Sequence, residues 1–375
     1  MPSVDSVLVV GGGPVGCSLA TLLARAGVGV DVVEIEDVAS ARGSGITVQG
    51  NALRVLREVG VWDEVRASGF AFDTLGMRTP EGELIVELED VRTGGPDLPA
   101  TLGMSRPRLR EILTGAATGA GARLRTGTTV TALRPGDEQV GVSFNDGTAG
   151  EYDLVVGADG VRSTVRSMIG VSDQPTPTGM GIWRVHTRRP ESVERTDLIY
   201  GGACYIAGYC PTGPDTMYAY LVEDATDRSG LSADQRRATM RELAGNYGGV
   251  WREIRDHIGA DEAVNYTWFE SLLVDRPWNR GRVVLIGDAA HACPPTLAQG
   301  AAMGFEDAAV LAELLLARDT VDDELFGAFM DRRYERARTV VEASVQLGEW
   351  LLRPSPDADP PGLMGRTLAM LAEPA

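Results

Sequence analysis

The sequence predicts an α/β protein in which a βαβ nucleotide-binding portion is interleaved with a mixed β-sheet portion and closed by C-terminal helices. Three observations predict it. The apolar run 7–10 leads straight into Gly11-Gly12-Gly13-Pro14-Val15-Gly16 and a helix-like run over 17–26; a second apolar run, 30–33, ends in Glu34. Two later apolar runs, 152–156 and 282–286, open into turns carrying an acid, Asp159 and Asp288. Between those two, residues 179–220 alternate as half-buried strands studded with tyrosine.

The first stretch has the order strand, tight glycine turn, helix, strand, acid, which is the Rossmann-like arrangement that binds an ADP moiety. Gly11 allows the turn, Gly13 lets backbone N–H groups approach a diphosphate, and Gly16 lets the helix pack close to the strand. Pro14 and Val15 open the helix, whose N-terminus carries about +0.5 charge and suits an anion. Glu34 suits a ribose diol with a free 2′-hydroxyl. That favours NAD or FAD over NADP and does not choose between the first two.

The composition excludes several classes. A net charge of −18 argues against nucleic acid as a partner. All 35 basic residues are arginine, so a Schiff-base lysine, a Walker A lysine and a lysine base are ruled out. Cys17, Cys204, Cys210 and Cys293 form no CxxC pair, and His186, His257 and His291 are the only histidines, so no metal is expected. No apolar run reaches about 18 residues. The first strand begins within a few residues of the start, leaving no room for a signal peptide, and the expected location is the cytoplasm.

Each remaining element follows from local pattern. Asn51 can cap a helix over 52–56 that ends near Gly60. Arg42 lies in a Gly/Ser loop, either solvated or bonded to a cofactor. Residues 74–78 and 84–88 read as strands. Pro107 favours a helix start, with the helix over 108–117. Arg106 there sits poorly with the helix dipole, which suggests an anionic partner outside the helix. Asp159 and Gly160 lie in a glycine-flanked turn, where Asp159 is a cofactor ligand or a helix cap. Alternation puts Arg184 and His186 on one face of a strand and Trp183, Val185 and Thr187 on the other. Residues 233–247 and 250–258 read as helices, and 264–274 as a returning strand. After Gly287 and Asp288 comes a small-residue stretch, Ala298 to Gly304, that opens a helix over 305–316. Residues 322–352 read as a long Arg/Glu-rich helix covering the core with a solvated face. The Pro-rich tail from Pro354 reads as extended.

With these three turns in place the chain resembles the class A flavoprotein monooxygenases, the para-hydroxybenzoate hydroxylase-like family. The carrying motifs are Gly11 to Gly16 with Glu34; Gly157-Ala158-Asp159-Gly160 with Arg162, Ser163 and Arg166; and Gly287-Asp288-Ala289-Ala290-His291 with Pro294, Pro295, Gln299 and Gly300. The resemblance implies FAD as cofactor and NAD(P)H as a transient co-substrate. It implies that Gly11, Gly13 and Gly16 hold the diphosphate, Glu34 the adenosine ribose and Asp288 the ribityl chain. Arg42 and Arg106 match arginines that contact FAD; Asp159 and Gly160 match a turn serving both cofactors. Backbone around Pro295 and from Gln299 through Gly300, Ala301 and Ala302 would line the flavin ring. The family often has Gly where Ala298 stands and Asn near Ala302. The chain looks like the compact subgroup. The domains expected are an FAD-binding domain of residues 1–75, 101–178 and 275–320, a substrate domain of 76–100 and 179–274, and a C-terminal helix and tail over 321–375.

The activity implied is hydroxylation of a small aromatic or N-heteroaromatic ring with O2 through a C4a-hydroperoxyflavin, by a monomer or homodimer. Arg184 is a candidate to hold an anionic or phenolate oxygen, and His186, Tyr205 and Tyr220 to assist deprotonation. Oxygenation of a non-aromatic or polyketide substrate by the same chemistry is the alternative. A flavin halogenase would need a lysine and a Trp-rich motif, neither of which is here. A non-enzymatic flavin-binding protein is a third reading.

Overall fold

The computed structural model describes residues 2–36 and 44–375. Its first sheet has six strands in the order Asn279–Arg280, Val283–Leu285, Leu154–Gly157, Ser6–Val10, Gly29–Glu34, Arg123–Thr126. All neighbours run parallel except at the Asn279–Arg280 edge. The strand Ser6–Val10 lies in the middle. The chain leaves it to one side for Gly29–Glu34 and returns on its other side as Leu154–Gly157. The glycine turn therefore sits where the strand order reverses, and ligands of open α/β sheets bind in the crevice at that point. Val7, Leu8 and Val9 are fully buried in a core that takes in helices and also Val140, Val142 and Phe144 of a three-stranded antiparallel sheet. One cover is the helix Pro14–Arg25, packed against Arg106–Gly119 and Gly300–Ala317. It approaches closely because a Cβ at Gly16 would lie 2.1 Å from the Gly11 carbonyl oxygen.

A second sheet has eight strands, in the order His291–Ala292, Val264–Leu273, Thr176–Arg188, Thr216–Asp224, Ile206–Pro211, Thr196–Tyr200, Thr74–Arg78, Leu84–Glu89. The alternation expected for Thr176–Arg188 holds. Trp183 and Val185 pack with Trp251 and Ile254 in a core beneath the helices Ala233–Ala244 and Val250–His257. Arg184 points to the opposite face. Strand Gly45–Gln49 belongs to a separate three-stranded sheet with Thr101–Ser105 and Phe70–Phe72, and it stands across from that face.

Three local expectations are corrected. The helix after strand Thr101–Ser105 begins at Arg106 rather than 108, with Pro107 in its first turn. The tail is not extended throughout: Pro360–Ala372 is a helix. The prolines read as breakers, but Pro360 and Pro361 fill a first turn that needs no N–H donors, and Asp359 Oδ1 accepts from Gly362 N–H at 2.9 Å. Nor is Asp323–Leu352 simply a solvated cover, because its Arg333 and Arg336 are buried. Among the described residues no helix is long and apolar enough to cross a membrane.

Candidate cofactor and substrate site

A single cavity of about 820 Å³ runs from the glycine turn, past Asp288, to the open face of the eight-stranded sheet. At the turn, two glycines do different work. Gly11 has φ +113°, and a Cβ there would sit 2.3 Å from the Ala158 carbonyl oxygen, so the turn is closed against the second motif. A Cβ at Gly13 would meet nothing within 4 Å, so this backbone faces open space. The helix Pro14–Arg25 has no side-chain cap, which leaves its first N–H groups available. Glu34 accepts from Gly12 N–H and Glu36 N–H, each at 2.9 Å, and Arg110 lies 3.6 Å away. A carboxylate has further lone pairs to offer. Arg42 lies outside the described residues.

The second turn is locked to the third. The Asp159 carboxylate accepts from Ser163 Oγ at 2.6 Å, Thr164 N–H at 2.7 Å and Val165 N–H at 3.1 Å. It acts as a cap on the helix Thr164–Met168, so what this turn presents to the cavity is backbone, with Gly160 at φ +78°. Arg166 is buried; it donates to the carbonyls of Val161 at 3.0 Å and Ala289 at 3.1 Å. One guanidinium thus fixes the distance between the two acid-bearing turns.

At the third turn Gly287 has φ +61° and donates its N–H to Asp307 Oδ2 at 2.8 Å. Asp288 projects into the cavity and has no partner among the described residues. Burial raises its carboxyl pKa, partly offset by His291 and Arg106. Helix Gly300–Ala317 starts beside it, again without a side-chain cap. Behind that helix is a buried ionic cluster that the sequence reading missed. Asp307 accepts from His291 Nε2 at 2.6 Å and Arg333 Nε at 2.7 Å. Glu306 accepts from Arg333 Nη1 and Arg336 Nε at 2.7 Å each and from Asn51 Nδ2 at 3.1 Å. Gln299 is fully buried and meets Asn51 Nδ2 at 3.1 Å. It supports the turn rather than lining the cavity, whereas Pro295, Gly300 and Ala301 line it; Ala302 is buried.

On the sheet side the structure brings together two of four candidates. Arg184 and Tyr220 line the cavity; His186 and Tyr205 do not. The His186 ring lies 2.9 Å from Thr212 Oγ1, and Tyr205 donates to Asp224 Oδ1 at 2.7 Å away from the cavity. Sequence alternation gave the face but not how far along the strand the cavity reaches. Tyr218, which reasoning from sequence did not select, stacks on Tyr220 with centroids 5.4 Å apart and does line the cavity. Glycines make room for both rings: a Cβ at Gly45 would lie 2.1 Å from Tyr218 Cδ1, and one at Gly208 would lie 2.4 Å from Tyr220 Cζ. Burial raises both phenol pKa values, so the rings face the cavity as neutral hydrogen-bond donors. Arg184 donates to Thr267 Oγ1 at 2.7 Å and has no carboxylate partner among the described residues. Burial, then the nearby Arg106 charge, pushes its pKa down to about 10, which still leaves it cationic at neutral pH.

These features define a dinucleotide-cofactor enzyme with a ligand cavity between two sheets. An unpartnered acid, two uncapped helix N-termini and the open backbone at Gly13 fit the diphosphate, ribityl chain and ring of a flavin dinucleotide. The family model described as "FAD binding domain" matches residues 5–344, and the chain belongs to that family. It is 31% identical over 98% of its length to a Bacillus subtilis protein provisionally named an FAD-dependent monooxygenase, YetM, covering 99% of that protein. It is 30% identical to the 2-heptyl-3-hydroxy-4(1H)-quinolone synthase of Pseudomonas aeruginosa, over 92% of this chain and 90% of that one. Among solved structures, Klebsiella pneumoniae HpxO complexed with FAD and uric acid superposes with a TM-score of 0.82 at 20% identity, over 98% of this chain and 92% of that one. The protein is an FAD-dependent monooxygenase with the para-hydroxybenzoate hydroxylase-like fold.

Proposed function

We propose that this enzyme hydroxylates a small aromatic or N-heteroaromatic ring, with O2 as the oxygen source and NAD(P)H as the transient reductant. The balance is ring–H plus O2, NAD(P)H and a proton to ring–OH, water and NAD(P)+. The observation that carries the reading is Arg184: a half-buried, cavity-facing cation with no carboxylate partner among the described residues, set beside two neutral tyrosines on the wall facing the Asp288 turn. The ring compounds in the names of relatives support it. One relative is named for making a 2-heptyl-3-hydroxy-4(1H)-quinolone; another is named a 3-amino-4-hydroxybenzoate 2-monooxygenase, from Streptomyces platensis, 31% identical over 91% of this chain.

FAD, when bound, supplies the redox chemistry and the activation of oxygen. The chain's residues bind, orient and screen. Backbone at Gly11, Gly13 and Gly16 receives the diphosphate, Glu34 the adenosine ribose, Asp288 the ribityl hydroxyls, and Arg42 and Arg106 further polar groups of the cofactor. Backbone N–H groups at the start of Gly300–Ala317, held by the Glu306–Asp307 cluster, stabilise negative charge on the ring. Arg184 holds a phenolate or enolate oxygen of the substrate and lowers the cost of its deprotonation, while Tyr218 and Tyr220 flank the ring and donate. His186 and Tyr205 are dropped as proton acceptors because neither reaches the cavity. We place the enzyme in the cytoplasm as a monomer or homodimer.

The test is direct. Purified protein is titrated with FAD, then NADH or NADPH consumption is followed with a panel of phenols, 4-quinolones and hydroxypyridines. Ring-stimulated consumption and a product heavier by one oxygen are expected. Reductant consumption that no ring stimulates, with no oxygenated product, overturns the reading.

A further inference from the structure

The cavity-facing side chains of the eight-stranded sheet are ordered by register, and the order carries information about the ligand. One cross-strand row runs Arg184, Tyr220, Gly208, Leu198. The neighbouring row runs Ile182, Val222, Ile206, Tyr200. Leu75 continues the wall on the next strand, paired with Thr196. The cation therefore stands at one end and an apolar wall follows it strand by strand. At about 4.8 Å per strand, three steps separate Arg184 from Leu198, roughly 14 Å, and a fourth step reaches the strand of Leu75. A single hydroxylated ring spans far less than that.

The facing wall agrees. Ile46 and Thr47 of strand Gly45–Gln49 lie across from these rows, and Tyr218 rests on Gly45. At the far end Thr101 Oγ1 lies 2.8 Å from Asp90 Oδ2 and 3.1 Å from Gln49 Oε1, while the buried Thr196 Oγ1 has no partner among the described residues. The acid at that end, Asp90, is held by Thr101 Oγ1 and by Val91 N–H at 2.8 Å. Arg184 is close enough to Arg106, and Arg106 to Asp288, for their charges to act on one another, so Arg184 stands at the cofactor end of the channel.

From this we infer that the substrate is amphipathic: its oxygen-bearing ring binds at Arg184 and the tyrosine pair, and it carries an unbranched apolar arm that lies over Ile206, Leu198 and Leu75. The inference rests on the proposed ring hydroxylation but is separable from it. It makes the arm, rather than the ring, the main source of binding energy, and it makes Leu198 and Leu75 specificity-determining residues.

The experiment uses FAD-loaded protein and two probe series, 2-alkyl-4-quinolones and 4-alkylphenols, with arms from hydrogen to undecyl. Dissociation constants are read from the perturbation of the flavin absorbance, without turnover. Kd should fall by about threefold to fourfold per methylene. It should level off once the arm spans roughly 14 Å, three strand spacings. Leu198→Trp should remove most of the dependence on arm length, collapsing the ratio of long-armed to short-armed affinity, with FAD content and melting temperature confirming the fold. An affinity that does not depend on the arm, or no binding by any armed ring, overturns the inference. If the armed rings bind tightly and none gains oxygen, the arm stands and the proposed hydroxylation falls.

Discussion

Arg333 Nε donates to Asp307 Oδ1 at 2.7 Å with both side chains fully buried, and this joins the helix Asp323–Leu352 to the helix that opens beside Asp288. The same guanidinium reaches Glu306, and Arg336 holds Glu306 from the other side while donating to the carbonyls of Met370 at 2.8 Å and Leu371 at 3.0 Å. The last helix, the long helix and the cofactor-side helix are thus tied through two acids and two arginines. Asp307 in turn holds Gly287 N–H, so the cluster sets the position of the turn bearing Asp288.

Removing one arginine leaves an acid charge buried without its full set of partners. Arg333→Met should cost about 3–5 kcal/mol of stability, the range for breaking a buried pair on one side only. Chemical unfolding of the FAD-free protein measures it. FAD affinity should fall as well, since the Gly287 turn loses its support. A variant as stable as the parent would mean that the cluster is replaceable by packing and does not hold the turn.

Acid should act on the same cluster. Burial by itself would raise the pKa of Glu306 and Asp307, but Arg333 and Arg336 around the first, and His291 and Arg333 around the second, hold both below their ordinary values of 4.5 and 3.8. Their folded pKa values lie below the unfolded ones. The stability they contribute is therefore fully present above the unfolded values and is lost as pH falls through the folded ones. Asp288 has the opposite sign, because its folded pKa is raised and protonation favours its folded form. Melting temperature measured against pH should hold steady down to about pH 5 and drop steeply below about pH 4. The Asp288→Asn variant should keep that drop, which excludes Asp288 as its source.

Much of this site is legible in sequence because it is local. Gly11, Gly13, Gly16 and Glu34 fall within one βαβ unit, and Asp159 and Asp288 each follow a buried strand directly, so pattern and chemistry sit within a few residues. The buried cluster is different. Arg333 and Arg336 lie in a stretch rich in Arg and Glu that reads as solvated at any window length, and their partners are 26 to 30 residues away. A signal was available on the other helix: Gly300–Ala317 is apolar on nearly all sides yet carries Glu306 and Asp307. Acids on a buried helix face demand buried cations, and this lysine-free chain can supply them only as arginine or histidine. The limits of the substrate face were not legible, because periodicity puts His186 and Arg184 on one face without saying where the cavity stops.

The two glycines of the first turn separate folding from cofactor binding. Gly11→Ala puts a Cβ 2.3 Å from the Ala158 carbonyl oxygen at φ +113°, so it should lower stability by at least about 2 kcal/mol through strain and displaced backbone. Gly13→Ala adds a methyl group to open space, so melting should stay within about 0.5 kcal/mol of the parent. If the diphosphate sits against that backbone, the same methyl group should raise the Kd for FAD by tenfold or more. Thermal melts with and without FAD read both effects. Equal FAD affinity in Gly13→Ala and the parent would place the diphosphate elsewhere.

Ala298 offers a test of stored strain next to the flavin wall. It is the one non-glycine residue with positive φ, +54°, among the described residues, and it ends the short turn Pro295–Leu297 where the resemblance leads one to expect glycine. A left-handed conformation costs an alanine roughly 1–2 kcal/mol. Glycine removes that cost but loses about 0.4–1 kcal/mol through its freer unfolded chain. Ala298→Gly should therefore stabilise the protein by a net of roughly 0–1.6 kcal/mol, unlike most substitutions at a cavity wall, and should leave FAD binding intact because the backbone of this turn is unchanged. Ala298→Val, which disfavours positive φ more strongly, should destabilise by more than 1 kcal/mol and loosen FAD at the same time. Paired unfolding curves and FAD titrations decide it: a destabilised Ala298→Gly would show that the methyl group makes packing contacts worth more than the strain it imposes.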